Sequence, residues 1–294
     1  MKIIRAEHFG MCFGVRDAIV QAETLAAAGP LTILGELVHN PIVRERLRSL
    51  GVTEDSLDRS AAELAAEKDG PDAGRPSRVM ITAHGASDLR LKEWKAAGHS
   101  VADGTCPLVR HAHEQLRRLV VAGYFPVVIG RPGHVEVRGL TEDFPGAVVI
   151  EQPAEVAALP AAPRYGVIAQ TTQPIERVRD LVAEIRRSHP EAEVRFVDTV
   201  CKPTKDRQRA LERLIAEAEL IVVVGGLTSN NTRQLVETCR AAGRRTLHLE
   251  RPEDLRAADF SGVEVVGLTA GTSTLAETIE AVRARLLEFA ALTK

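Results

Sequence analysis

The sequence predicts an α/β protein: three similar α/β units with small parallel sheets, set in a pseudo-threefold ring around a common centre. Three observations carry this expectation. Cys12, Cys106 and Cys201 recur with a period of about 95 residues, each followed, after two intervening residues, by Val or Thr and then by Arg or Lys. Behind each cysteine runs a helical apolar pattern and then a short apolar strand that ends in Gly35, Gly130 or Gly225. Four residues beyond each of those glycines stands a polar group: His39, His134 and Ser229. Periods of about 20 to 50 residues belong to solenoids, whereas this longer one suits three copies of a small α/β unit.

Taken in order, Lys2–Arg5 reads as a first strand. The helices after the cysteines are marked by Val15, Ala18, Ile19 and Ala22, by Val109, Ala112, Leu116 and Leu119, and by Leu211, Leu214, Ile215 and Ala218. Gly29 and Gly123 stand where a helix C-cap is expected. The strands that follow are Leu31–Leu34, Pro126–Ile129 and Ile221–Val224. In the second half of each unit another strand runs into a small polar loop, at Thr82–Gly85, Ala169–Thr172 and Thr269–Ser273. A strand also precedes the later cysteines, at His99–Ala102 and Val194–Val197. If these complete the first and second sheets, the third lacks a strand, and Lys2–Arg5 is expected to supply it. The units are then 13–105, 106–200 and 201–294, the last completed by the N-terminal strand 1–12. Such closure brings the three cysteines to one centre. The polar, Gly- and Pro-rich stretches Glu67–Ser77 and Gln152–Arg164 read as surface connections.

A composition of 45% hydrophobic and 27% charged residues is ordinary for a globular chain. The formal net charge of −2 offers no broad footprint for nucleic acid or an anionic membrane, so an anion must be held locally. No apolar run has the length of a membrane span and the N-terminus shows no signal-peptide pattern, which points to the cytoplasm. There, a set of cysteines is more often metal-binding or catalytic than disulfide-bonded.

A lone cysteine is usually a buried core residue. Equal spacing and matching flanks set Cys12, Cys106 and Cys201 apart from that expectation, whereas Cys239 lies outside the repeat in a helical stretch and reads as core. Three sulfurs without a Cys-x-x-Cys pair suit zinc less well than an iron–sulfur cluster, which is normally held by four thiolates. With three thiolates one iron stays open, a Lewis acid joined to an electron reservoir. His39, His84 and His134 recur at strand ends, and the third unit places Ser229, Asn230, Asn231 and Ser273 there. Such a ring of donors suits a phosphate or diphosphate. Ser229 also reads as a helix N-cap. Glu136 is the one carboxylate inside these motifs; two residues from His134, it shares its face if the segment is extended, and it is positioned to relay a proton. The remaining histidines, His113 among them, read as solvated or structural.

These motifs, running in order over essentially the whole chain, resemble the 4-hydroxy-3-methylbut-2-enyl diphosphate reductases. The strings that carry the resemblance include Gly10-Met-Cys-Phe-Gly, Glu36-Leu-Val-His-Asn40, Ala83-His-Gly85, Gly133-His-Val-Glu136, Gln170-Thr-Thr172, Ser229-Asn-Asn-Thr232 and Thr269-Ala-Gly-Thr-Ser273. The resemblance implies reductive loss of the substrate hydroxyl, giving isopentenyl and dimethylallyl diphosphate in the last step of the non-mevalonate isoprenoid pathway. It implies a [4Fe-4S] cluster on Cys12, Cys106 and Cys201, and a diphosphate held by His39, His84, His134, Ser229, Asn230, Asn231 and Ser273. Thr171 or Thr172 would lie near the substrate hydroxyl, Glu136 would be the proton source, and a carrier such as ferredoxin or flavodoxin would bring the electrons. Val135, Arg138, Leu227–Thr228 and Lys202–Pro203 depart from the family's usual residues. Two other readings follow from an open iron: a non-redox hydro-lyase or quinolinate-synthase-like enzyme, which prefers carboxylates and needs no reductant, and a cluster-bearing sensor in which Glu136 is dispensable.

Overall fold

The computed structural model describes residues 1–38, 40–61, 64 and 77–292. Strand β1 (Lys2–Arg5) leads to α1 (Phe13–Ala27), β2 (Leu31–Leu34), α2 (Pro41–Ser49) and β3 (Val52–Asp55). Next come β4 (Arg78–Ile81), α3 (Asp88–Ala96), β5 (Ser100–Asp103), α4 (Pro107–Val121), β6 (Phe125–Ile129), α5 (Val135–Thr141) and β7 (Val148–Ile150). The chain continues through α6 (Pro153–Val156), β8 (Arg164–Ala169), α7 (Ile175–Ser188), β9 (Glu193–Phe196), α8 (Lys202–Glu217) and β10 (Leu220–Val224). It ends with α9 (Asn230–Ala241), β11 (Arg245–Leu249), β12 (Val265–Ala270) and α10 (Ala276–Leu292).

The strands form three four-stranded sheets, ordered β3-β2-β4-β5, β7-β6-β8-β9 and β11-β10-β12-β1. Every pairing is parallel. The order is the same in all three, with β1 in the fourth seat of the last sheet, paired with β12 from Lys2 opposite Val265 to Arg5 opposite Leu268.

By contacts the chain gathers into two compact units. One contains Met1–Arg16, Val38–Arg46 and Lys202–Lys294, with the third sheet; the other contains Asp17–Leu37 and Leu47–Cys201, with the first two. In the first of these, β10 is buried along its whole length. Leu220, Val222 and Val224 pack with Val282 and Leu286 of α10, while Ile221 and Val223 meet Leu211 and Leu214 of α8 and Leu235 and Cys239 of α9. In the second, Val127, Ile129 and Val167 meet Val178, Leu181 and Ile185 of α7, and Val128 and Ile168 meet Leu116 of α4 and Leu140 of α5. Parallel strands covered on both faces read as continuous apolar runs for this reason. Each such buried side chain contributes about 1.5–3 kcal/mol.

The elements sit within a residue or so of where the apolar patterns place them, and one connection differs. Gln152–Arg164 is not wholly irregular: Pro153–Val156 forms a helical turn, closed by a capping box between Gln152 and Glu155, and Arg164 already belongs to β8. Of the expected loop Glu67–Ser77, all but Ser77 lies outside the described residues; Ser77 is buried and its carbonyl accepts the Ser100 N–H at 2.8 Å. Among the described residues no helix is long and apolar enough to cross a membrane.

Candidate active site

Each repeated cysteine occupies the residue immediately before a helix: Cys12 before α1, Cys106 before α4 and Cys201 before α8. All three are half-buried, and none of the four cysteines is in a disulfide. The same backbone bond holds each one. Cys12 N–H donates to Thr272 O at 3.3 Å, Cys106 N–H to Ala83 O at 3.1 Å and Cys201 N–H to Thr171 O at 2.9 Å. The accepting residues lie just after β12, β4 and β8, which hold equivalent seats in the three sheets. Cys239 differs in every respect: it is fully buried among Leu211, Leu214 and Val223, and burial pushes its thiol up to about 12. Arg207, buried on α8, donates to Gly10 O at 2.7 Å and so ties that helix to the segment leading into Cys12.

In the unit that holds the first two sheets, His84 follows β4 and meets His134 edge to face, with ring centroids 5.7 Å apart. His134 caps α5: its Nδ1 accepts the Glu136 N–H at 3.2 Å, which leaves Nε2 as the donating nitrogen of the neutral ring. Glu136 therefore sits in the first turn of a helix, so the extended segment on which a face shared with His134 depended does not form. Its side chain is only 2% exposed. One carboxylate oxygen accepts the Thr171 N–H at 2.6 Å and the other the Thr171 hydroxyl at 3.0 Å. Burial pushes its pKa up to about 7, with the two Thr171 bonds pulling the other way. Thr171 thus joins Glu136 to Cys201, since its carbonyl also holds the Cys201 amide. His84, Thr105, His113, Glu136 and Leu140 help to line a small open cleft.

Two residues here were not singled out from the sequence. Gln170, fully buried, accepts Arg131 N–H at 3.0 Å and the Gln173 amide at 3.1 Å, and donates to the Thr172 hydroxyl at 3.2 Å. Thr199 closes the loop before Cys201 by bonding both the N–H and the carbonyl of Ala169. Buried amides and hydroxyls beside a repeated motif are the signal that marks them.

The unit holding the third sheet builds a second cluster. Ser229 caps α9, its hydroxyl accepting Thr232 N–H at 3.4 Å; Asn230 and Asn231 open the helix. Asn231 Oδ1 accepts Thr272 N–H at 3.1 Å and so fixes the loop before Ser273. Ser273 is buried, and its hydroxyl has no hydrogen-bond partner among the described residues. A buried hydroxyl in that state costs about 1–3 kcal/mol until a ligand or water satisfies it. His39 lies outside the described residues. Gly225, at φ 149°, makes the turn out of β10. Gly271 is required for space: a Cβ there would lie 2.1 Å from Thr232 Oγ1. Gly271→Ala is therefore expected to lower stability by about 1–3 kcal/mol, read as a fall in Tm; an unchanged Tm would mean that Thr232 turns aside freely.

The departures from the family pattern find local partners. Arg138 grips Asp58 with both terminal nitrogens, one at 2.9 Å, and holds that carboxyl below its ordinary range. Leu227 N–H donates to Glu250 at 2.8 Å, and Lys202 pairs with Asp206. Nothing in the structure explains Val135, which opens α5 half exposed.

Fold and site together define a class: parallel α/β proteins with three sheets of one strand order, in which a cysteine precedes the helix that follows each fourth strand. The family model described as LytB protein matches residues 3–287, and the chain belongs to that family. It is 36% identical over 291 residues to the 4-hydroxy-3-methylbut-2-enyl diphosphate reductase of Geobacter sulfurreducens, covering 98% of each chain. The like-named protein of Aquifex aeolicus is 33% identical over 292 residues, 97% of this chain and 96% of that one. Among solved structures, (E)-4-hydroxy-3-methyl-but-2-enyl diphosphate reductase, described as the terminal enzyme of the non-mevalonate pathway, matches with a TM-score of 0.67 and 33% identity. That match covers 98% of this chain and 99% of the other. The Plasmodium falciparum E-1-hydroxy-2-methyl-but-2-enyl-4-diphosphate reductase shares the fold with a TM-score of 0.85 at 24% identity, over 96% of this chain and 87% of that one.

Proposed function

We propose that this chain is a 4-hydroxy-3-methylbut-2-enyl diphosphate reductase, converting the allylic alcohol diphosphate to isopentenyl and dimethylallyl diphosphate at a [4Fe-4S] cluster. The observation that carries the reading is the buried Glu136 carboxyl, bonded through both oxygens to Thr171, whose own carbonyl holds Cys201. An acid that titrates near neutrality and a sulfur donor are thereby tied to one residue. The shared strand order supports three repeats at 13–105, 106–200 and 201–294, the last completed by 1–12.

The donor set fits the cofactor. Cys12, Cys106 and Cys201 share one backbone setting, and the fourth cysteine is locked in the core, so three thiolates are offered and one iron is left without a protein sulfur. When bound, the cluster supplies reducing electrons and an iron Lewis acid. The chain's own residues do the rest. His39, His84, His134, Ser229, Asn230, Asn231 and Ser273 hold the diphosphate, with His84 and His134 arriving as a contacting pair and Ser273 bringing a hydroxyl that no described residue satisfies. Thr172 and Thr171 stand near the substrate hydroxyl. Glu136 gives up a proton through Thr171, whose hydroxyl donates to the ionised carboxylate and accepts from the neutral acid. The balance is two electrons and two protons per hydroxyl lost as water. The electrons come from an external carrier such as ferredoxin or flavodoxin, and the reaction is placed in the cytoplasm. The names of the relatives favour this reductase over a hydro-lyase or quinolinate synthase.

The test is anaerobic purification with iron and sulfide analysis, then Mössbauer spectra with and without 4-hydroxy-3-methylbut-2-enyl diphosphate. The expected result is four irons and four sulfides per chain, with one iron distinct and shifted by the diphosphate. Zinc, or a cluster indifferent to the diphosphate, would sink the assignment.

A further inference from the structure

We propose that Asn40 is a positioning residue for the oxyanion site, fixing the Ser273 segment through its side-chain amide. The inference rests on the reading that Ser273 contacts the diphosphate. Asn40 is the residue before α2 and is 6% exposed. Its Oδ1 accepts Ile42 N–H at 3.0 Å and Val43 N–H at 3.4 Å, the bonds of a helix N-cap. Its Nδ2 does something a cap does not need: it donates to Ser273 O at 2.7 Å, a contact between residues far apart in the chain.

The surroundings show what that bond secures. Thr272 is held by Asn231, and Thr274 by its hydroxyl on Val224 O at 3.0 Å and its N–H on Gly271 O at 3.2 Å. Between these two fixed residues, Ser273 is tied through its carbonyl to Asn40, and its hydroxyl, without a partner among the described residues, faces no competing bond there when a ligand arrives. Capping alone does not explain why the residue is Asn. Asp caps as well, and its charge suits a helix start better. Of the two, the amide accepts from α2 and donates to a carbonyl at once, whereas a carboxylate would set two oxygens against each other at the 2.7 Å contact.

The experiment uses anaerobically purified holoenzyme and inorganic pyrophosphate as the probe, with calorimetric binding, thermal unfolding and the separation of KM from kcat. The variants are Asn40→Asp, Asn40→Ser and Ser273→Ala. Both Asn40 variants keep a capping oxygen, so the fold is expected to survive, with Tm lowered modestly in Asn40→Ser by the lost bond to Ser273 and further in Asn40→Asp, whose buried carboxylate faces that carbonyl. Pyrophosphate is expected to bind about tenfold more weakly to both, the scale of one lost hydrogen bond, and KM is expected to rise by more than kcat falls. Wild-type affinity in Asn40→Ser would overturn the proposal, because a weakening confined to Asn40→Asp is then the work of added charge. If Asn40→Asp does not fold, Asn40→Ser decides alone. Unchanged pyrophosphate affinity in Ser273→Ala would overturn the diphosphate reading of Ser273 itself, and the inference with it.

Discussion

Glu136→Gln is expected to lower kcat by about 10²- to 10⁴-fold, the range of a lost general acid, while iron content and pyrophosphate binding stay at wild-type levels. Glutamine fills the same space and can accept the Thr171 N–H with its oxygen, so the fold has little reason to fail. The sign of the stability change follows from burial. Folding raises the Glu136 pKa from 4.5 to about 7, so the folded state holds its proton more tightly than the unfolded chain. The stability linked to that proton is fully present below about pH 4.5 and is lost as pH rises through 7, on the order of 3 kcal/mol in all. Glutamine does not titrate. The Tm of Glu136→Gln is therefore expected to gain on wild type between pH 5 and pH 8, even as turnover disappears. Parallel Tm curves across that range would show that the carboxyl is not held in an environment hostile to its charge. Normal turnover by the variant would remove Glu136 as the proton source.

The second large effect separates three cysteines from the fourth. Serine in place of Cys12, Cys106 or Cys201 is expected to lose the cluster and with it all measurable turnover, and to do so equally at each position. The fold is expected to survive, because the backbone N–H bonds to Thr272, Ala83 and Thr171 remain and serine is a good residue before a helix. Cys239→Ser should do the reverse. Iron stays at wild-type content, and stability falls by about 1–3 kcal/mol because a hydroxyl enters an apolar cluster. Iron analysis and a melting curve on the four variants check this. Loss of iron in Cys239→Ser, or its retention in any of the other three, would contradict the division.

Much of this was legible in the chain because it is written three times. A strand of Leu, Val and Ile buried on both faces leaves an unbroken apolar run, and Leu220–Val224 is one. The cysteines announced themselves by period. Glu136 is legible from its place beside His134, but its helical setting is not: the histidine that ends one loop is also the cap of the next helix, and a capping His is a weaker signal than Ser or Asp. The turn at Pro153–Val156 carried readable signs in Gln152, Pro153 and Glu155, and was masked by the prolines around it. Asn40 was quoted within a motif and passed over. What distinguishes it is a bond to Ser273, and a contact between residues so distant in sequence leaves no local trace.

The seat that β1 takes has a consequence for biosynthesis. Lys2 pairs with Val265, so β1 finds the strand beside it, its one sheet neighbour among the described residues, only after the intervening chain has been made. At about 5–20 residues per second, β1 waits on the order of ten seconds to a minute before it can dock. Throughout that interval its backbone donors and acceptors are open to any passing strand. Lys2 and Arg5, both exposed, flank just two apolar residues, Ile3 and Ile4, and charges on so short a strand discourage premature pairing. After docking, β1 is still the outermost strand of its sheet, and the same two cations then guard the finished edge. The nascent chain and the mature one are thus protected by the same pair of residues, and replacing Lys2 and Arg5 with apolar residues exposes both.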